Sequence, residues 1–281
     1  MRLGYHSITW GGVVGEPTGV TSIKNLHYRS NGSIVQAVQD IAAAGYEGIE
    51  IFDGNLTDYA ARPDDLRRLL ADSGLELVSV YCGANFIYAE MLPDELYRVA
   101  RAADLAATFG AHYLVVGGGA RRAAGTNEED YDRLGSALDQ VVEIAESRGL
   151  TATYHPHLTT MAESPDEIDK VMRRSRIGFC PDTAHLAAGG GDPAELIRRY
   201  SDRIPLVHLK DFRPDPFSFL PLGRGVLNMP EIVAAVSEAG YDGWLLVELD
   251  AYDGDPSEAA EISRACLVDV LTSGNGRQSR P

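Results

Sequence analysis

Five polar residues set the chemical question for this chain. Glu50, His155, Asp182, His208 and Glu248 each lie at the end of a short apolar run, at intervals of 105, 27, 26 and 40 residues that follow a strand-plus-helix repeat. Four of them, His155, Asp182, His208 and Glu248, make a two-imidazole, two-carboxylate ligand set. That set suits one divalent ion of the Mn²⁺, Fe²⁺, Co²⁺ or Zn²⁺ kind, with Mn²⁺ placed first, whereas Mg²⁺ prefers oxygen alone. Two carboxylates brought together in a protein interior are costly unless a cation compensates them. Near the set in sequence stand groups able to move protons or hold a substrate. His157 follows His155 by two positions, His185 follows Asp182 by three, and Lys210 follows His208 by two. Arg224 sits between glycines in Pro221-Leu222-Gly223-Arg224-Gly225. Trp10 and Phe217 could cover a substrate face. The plainer readings are salt bridges for Lys210 and Arg224, and ordinary loop packing for the two aromatic rings. The Gly117-Gly118-Gly119 run lacks the Lys-Ser/Thr of a phosphate loop, and no serine lies in a GxSxG context.

Groups so far apart in sequence meet only if the fold returns to one place many times. Eight β-branched, apolar runs recur, at 3–6, 48–52, 75–81, 113–116, 151–155, 177–180, 206–209 and 244–249. Between them lie amphipathic helical patterns with capping signals. Ser164-Pro165-Asp166-Glu167 and Asp192-Pro193-Ala194-Glu195 each give a capping oxygen, Pro at the first helical position and Glu two residues on. Thr126-Asn127-Glu128-Glu129 reads as a further capping box. Strands buried on both faces and joined by crossover helices form a parallel sheet. Eight such units without a composition break predict an α/β fold, a single (β/α)8 TIM barrel spanning 1–272, with 273–281 a disordered tail. An open doubly wound sheet would carry a glycine fingerprint after its first strand, and SITWGGVVGEPTGV has none. In a barrel the polar strand ends gather at the C-terminal mouth, where metal and acid–base sites are built. The long connections 7–32 and 210–228 fall on that face and are lid candidates.

The bulk properties narrow the partners. There are 41 acidic residues against 25 Lys and Arg, a formal charge of −16, which argues against nucleic acid as the ligand. The expected partner is a small molecule, with a homo-oligomer or an auxiliary subunit left open. No apolar run approaches the ~20 residues of a membrane span, and MRLGYHSITW offers no signal-peptide core. Cys82, Cys180 and Cys266 are odd in number and far apart, so neither a disulfide framework nor a metal knuckle is expected. These features predict a cytoplasmic enzyme.

At PDTAHL, VHLKD and AGYDGWLLVELD the chain resembles the xylose-isomerase-like barrel superfamily of sugar isomerases, epimerases and dehydratases, and the likeness extends from GYHSITW to GWLLVELD. The resemblance implies one divalent metal held by residues on the last four strands, with Asp182, His208 and Glu248 on three of the positions. The fifth-strand position, commonly Glu, is His155 in YHPH, which looks like the inosose dehydratases. It therefore implies a lyase that takes a proton α to a carbonyl and expels water, or another β-leaving group, from a keto-cyclitol or keto-sugar. His157 and Lys210 are then base candidates, Glu50 and His185 assist or orient substrate, and His155 is ligand or base. The alternative is a ketose epimerase or aldose–ketose isomerase with Glu50 and Glu248 on opposite faces of the carbon. A non-catalytic sugar-binding subunit is a third reading.

Overall fold

The structure, a computed structural model, describes residues 1–11 and 27–275. Eight parallel strands form its sheet: β1 (Arg2–His6), β2 (Gly48–Phe52), β3 (Glu76–Ala84), β4 (Tyr113–Gly118), β5 (Thr151–Tyr154), β6 (Gly178–Phe179), β7 (Val207–Leu209) and β10 (Trp244–Val247). They are ordered β6-β5-β4-β3-β2-β1-β10-β7. The two ends of this order meet through a bridge between Asp182 and His208 and a His208 N–H bond to the Pro181 carbonyl, 2.9 Å. The sheet is thus curled almost into a closed barrel, as the βα repeat predicts. Strands β8 (Asp211–Pro214) and β9 (Phe217–Leu220) form a separate antiparallel hairpin inside the long connection after β7. None of the described helices is long and apolar enough to cross a membrane.

The period-two alternation of the strands decides which side chains face the barrel axis. Inward residues Phe52, Val78, Tyr81, Val115, Cys180, Leu206, Trp244 and Leu246 form an inner apolar cluster. Their neighbours Ile49, Ile51, Val80, Leu114, Val116, Val207, Leu209, Leu245 and Val247 pack outward against the helices. Gly48 is needed at the floor of the barrel, because a Cβ there would lie 2.4 Å from Val78 Cγ2 and 2.7 Å from the Trp244 ring. Continuing the same alternation by two residues carries Leu206 to His208 and Lys210, and Leu246 to Glu248.

The helices follow their capping signals. Helix α6 (Pro165–Met172) begins with the Ser164–Glu167 capping box, and α8 (Pro193–Arg199) is capped by Asp192. The long helix α5 (Glu128–Glu146) is capped one residue later than its sequence suggests. Asn127, not Thr126, is the cap, and Asp130, not Glu129, reaches back. Asn is as good a cap as Thr, and Asp130 also meets the Arg122 guanidinium at 2.8 Å, which fixes that register. Helix α10 (Pro256–Asn275) passes the expected domain limit at 272, and 276–281 lie outside the described residues.

Candidate metal centre

His155, Asp182, His208 and Glu248 are all buried, and one ligating atom from each lies within 4.8 Å of the others. Asp182 is fixed by a double duty. It caps the short helix α7 (Thr183–Ala188), its Oδ1 accepting the His185 N–H at 2.9 Å. Its Oδ2 is left without a hydrogen bond and faces His155 Nε2 at 3.4 Å. His155 Nε2 is also 3.5 Å from Glu248 Oε2, which lies 2.6 Å from His208 Nδ1. Both nitrogens of His155 lack hydrogen-bond partners although the ring is fully buried. Buried polar atoms are normally satisfied, and ligating atoms left without partners so close together are what a cation site requires. The donor set fits a single divalent ion.

Charge around the cluster is partly offset by one ammonium. Lys210 is completely buried, and its Nζ donates to Glu248 Oε1 at 2.7 Å and Asp250 Oδ1 at 2.8 Å. It lies 3.1 Å from His185 Nε2, 3.4 Å from Asp182 Oδ2 and 4.7 Å above the Phe219 ring. Burial favours the neutral amine, but Asp182, Asp250 and Glu248 outweigh it and hold the lysine pKa above its ordinary value. Burial raises the carboxyls of Asp182 and Glu248, and Lys210 with the neighbouring imidazoles more than reverses this, so both stay ionised. Asp250 goes the other way. Burial, with Glu248 behind it, lifts its pKa to about 7 against the pull of Lys210.

His157 occupies the rim beside this cluster, half-buried, its ring centroid 3.7 Å from that of His185. Its Nδ1 is 2.7 Å from the Leu158 carbonyl, which can only accept, so the ring proton sits on Nδ1 and Nε2 keeps its lone pair. Burial, then electrostatic repulsion from the His155 side and from Lys210, pushes the His157 pKa down to about 4. Near neutral pH it is an uncharged base. The β8–β9 hairpin closes this side, with Phe219 against His185 at 5.1 Å between centroids.

Four further residues singled out in the sequence stand outside the ligand set. Glu50 is fully buried between His6 and His208, its Oε1 facing the Nε2 of each ring. Trp10 points away from the mouth. Its ring packs edge-on against Tyr5, and its indole N–H donates to Asp40 Oδ2 at 2.8 Å, which commits it to the layer between sheet and helices. Arg224 is exposed on the connection after the hairpin, near Tyr252. Phe217 sits at the hairpin, partly exposed, against Phe212 and Phe219. The lid expected over 7–32 rests mainly on residues 12–26, which lie outside the described residues.

A family model described as the xylose isomerase-like TIM barrel matches residues 38–269. The chain belongs to that family. An inosose dehydratase of Geobacillus kaustophilus is 30% identical over 266 residues, covering 83% of this chain and 84% of its own. Among solved structures, a D-tagatose 3-epimerase-like protein superposes with a TM-score of 0.76 at 20% identity, over 99% of this chain and 100% of that one. The IOLI protein with a bound zinc atom gives 0.75 at 18% identity, over 97% of this chain and 99% of that one. The protein is therefore a catalytic barrel of this family, related in sequence to inosose dehydratases, with a buried site suited to one divalent ion.

Sequence reading missed His6 and Asp250. Both carry the signal that found the others: His6 ends β1 in register with Glu50, and Asp250 follows Glu248 by two, on the same side of the chain.

Proposed function

We propose that this protein is a metal-dependent carbon–oxygen lyase that removes a proton α to a carbonyl and expels a β-oxygen, as water or an alcohol, from a keto-cyclitol or keto-sugar. The observation that carries the reading is the pairing of a neutral, tautomerically fixed imidazole with a buried ammonium on one side of the ligand cluster. His155, Asp182, His208 and Glu248 would hold the ion, Mn²⁺ first among the candidates. When bound, a divalent ion supplies Lewis-acid polarisation of the substrate carbonyl, which acidifies the adjacent C–H.

The remaining work falls to side chains. His157 Nε2 takes the α-proton, and the electron pair of that C–H bond becomes the carbon–carbon double bond of an enolate. The enolate collapses, the β carbon–oxygen bond breaks, and Lys210 Nζ gives its proton to the departing oxygen. Lys210 suits the acid role and not the base role, because three carboxylates keep it protonated. His185, stacked on His157 and hydrogen-bonded to Lys210, keeps the two in register. Asp250, at the other side of Lys210, is positioned to restore its proton. The relationship to inosose dehydratase supports elimination from a cyclic ketone.

Incubation with inososes and 3-keto-glycosides in Mn²⁺ or Co²⁺, followed by product mass spectrometry, tests the proposal. Loss of water or of an aglycone supports it. Conversion without mass change would assign the protein to isomerisation instead.

A further inference from the structure

Beside the four candidate ligands lies a further group of buried polar side chains that the elimination chemistry does not use. His6, Glu50 and Ser79 are completely buried, and parallel pairing sets His6 beside Glu50 and Glu50 beside Ser79. Glu50 Oε1 is 3.3 Å from His6 Nε2 and 3.4 Å from His208 Nε2. Neither oxygen of Glu50 has a geometrically complete hydrogen bond, and the same is true of those two nitrogens and of Ser79 Oγ. A carboxylate in so dry a place is tolerable only if the imidazoles beside it present protons.

The protons can be placed by elimination. His6 Nδ1 accepts the Ile8 N–H at 2.9 Å, so its ring proton is on Nε2, facing Glu50. His208 turns its Nδ1 to Glu248, on the ligand side, and its Nε2 to Glu50. A neutral imidazole that offers the Nδ1 lone pair to a cation must carry its proton on Nε2. Glu50 stands at that nitrogen. Cys180, the other polar neighbour of the ring, is only a weak partner.

We infer that Glu50, backed by His6, is a positioning residue for the metal centre, holding His208 as the Nε2–H tautomer with Nδ1 directed at the ion. The inference rests on the metal reading of the four-residue cluster and adds a carboxylate–histidine support to it. The chain of contacts continues from His208 through Glu50 and His6 to the backbone of Ile8, at the start of the long first connection. The metal centre is thereby tied to the segment that leaves β1.

Zinc affinity by competition with a colorimetric chelator tests this without any turnover assay. Glu50→Gln and Glu50→Leu should weaken Zn²⁺ about 10- to 100-fold, the usual range for loss of such a support. His6→Gln should weaken it less, in the same direction. Long-range ¹H–¹⁵N correlation on zinc-loaded, histidine-labelled wild type, with His208 assigned through His208→Gln, should show its proton on Nε2. A proton on Nδ1 of His208 in that sample would overturn the inference, as would zinc binding within twofold of wild type in both Glu50 variants. If neither Glu50 variant folds, the wild-type tautomer and the His6→Gln affinity decide. A wild type that binds no zinc, Mn²⁺ or Co²⁺ would overturn the metal reading and this inference with it. Zinc-binding wild type with unaffected variants would overturn this one alone.

Discussion

The two halves of the barrel are built differently. Strands β1 to β4 have five, five, nine and six residues, while β5, β6, β7 and β10 have four, two, three and four. In the long half β3 and β4 present Val78, Tyr81 and Val115 inward and their ladder runs on to Ala84 and Gly118, while β1 and β2 carry His6 and Glu50. In the short half the regular pairing of each strand ends within three residues of a candidate ligand: at Tyr154 before His155, at Phe179 before Asp182, at Leu209 after His208 and at Val247 before Glu248. Pro156 and Pro181 help to end two of the ladders, because proline offers no N–H to a neighbour. All four candidate ligands hang from the short half. The seam between β6 and β7 is bridged by two of them, Asp182 and His208. Regular pairing therefore carries the fold on one side, and on the other it is given up where side chains must converge at different heights.

If that division is real, changes in the two halves should have separable effects. The largest is expected from Asp182→Asn. Asparagine keeps the helix cap but loses the anionic Oδ2, so bound metal should fall from one per chain to none and turnover below detection, with an unchanged circular dichroism spectrum. Metal analysis after gel filtration checks it, and full retention of metal would remove Asp182 from the ligand set. Next is His157→Gln, which should keep the metal and lower kcat about 10²- to 10⁴-fold, the ordinary span for a lost general base. Burial and repulsion from neighbouring groups hold the His157 pKa at about 4, so the base is already neutral at pH 5. A loss of base should therefore appear only as pH falls toward 4, and a kcat limb centred near the ordinary histidine value would count against His157.

A third measurement addresses the seam directly. An ion bound to the folded state at about 1,000 times its Kd adds about 4 kcal/mol of stability. Chelation should remove that and speed amide exchange in β6 and β7 while leaving β3 and β4 protected. Leu114→Ala, in the long half, makes the opposite cut. Leu114 is completely buried between sheet and helices, so the change should lower stability by about 2–5 kcal/mol and leave metal affinity alone. Equal exchange in the two halves after chelation would dissolve the distinction.

The same contrast explains what could be read from the sequence. The strand repeat gave the barrel and the ligand positions, because period-two alternation fixes which residues face the axis. It does not say which partner an inward residue meets. Glu50 shares the inward side with Asp182 and Glu248, and only the structure sets it between His6 and His208, at the Nε2 side of a candidate ligand. Trp10 followed the first strand closely enough to suggest the mouth, and only its bond to Asp40 on helix α1 (Ile34–Ala43) reveals the turn that carries it outward. The hairpin in the seventh connection is not legible in the sequence, because its strands have four residues each, too few to show alternation, with Pro214 and Pro216 at the turn. Asp250 lies just past the strand end, where alternation no longer marks a direction.

The smallest effect is expected at that hairpin. Asp211 opens β8 and is completely buried. Its Oδ1 accepts N–H bonds from Phe212 at 2.9 Å and Leu227 at 3.1 Å, and its Oδ2 accepts from Gly223 at 3.0 Å and Gly225 at 2.9 Å. One carboxylate thus ties the base of the hairpin to the far end of the connection, on either side of Arg224. Gly225 permits this closeness, since a Cβ there would stand 2.1 Å from Asp211 Oδ1. Asp211→Asn is nearly isosteric, but its amide nitrogen would be turned toward backbone N–H groups and could accept nothing from them. The connection should loosen while the ligands, His157 and Lys210 keep their places. The expected result is KM raised about three- to tenfold, on the order of 1 kcal/mol, with kcat and metal content near wild type. Arg224→Ala then decides what the connection does. An equal rise in KM would mean that the tie serves to present the guanidinium to substrate. An unchanged KM would leave the connection as a wall, its ordering and not its charge being what substrate meets.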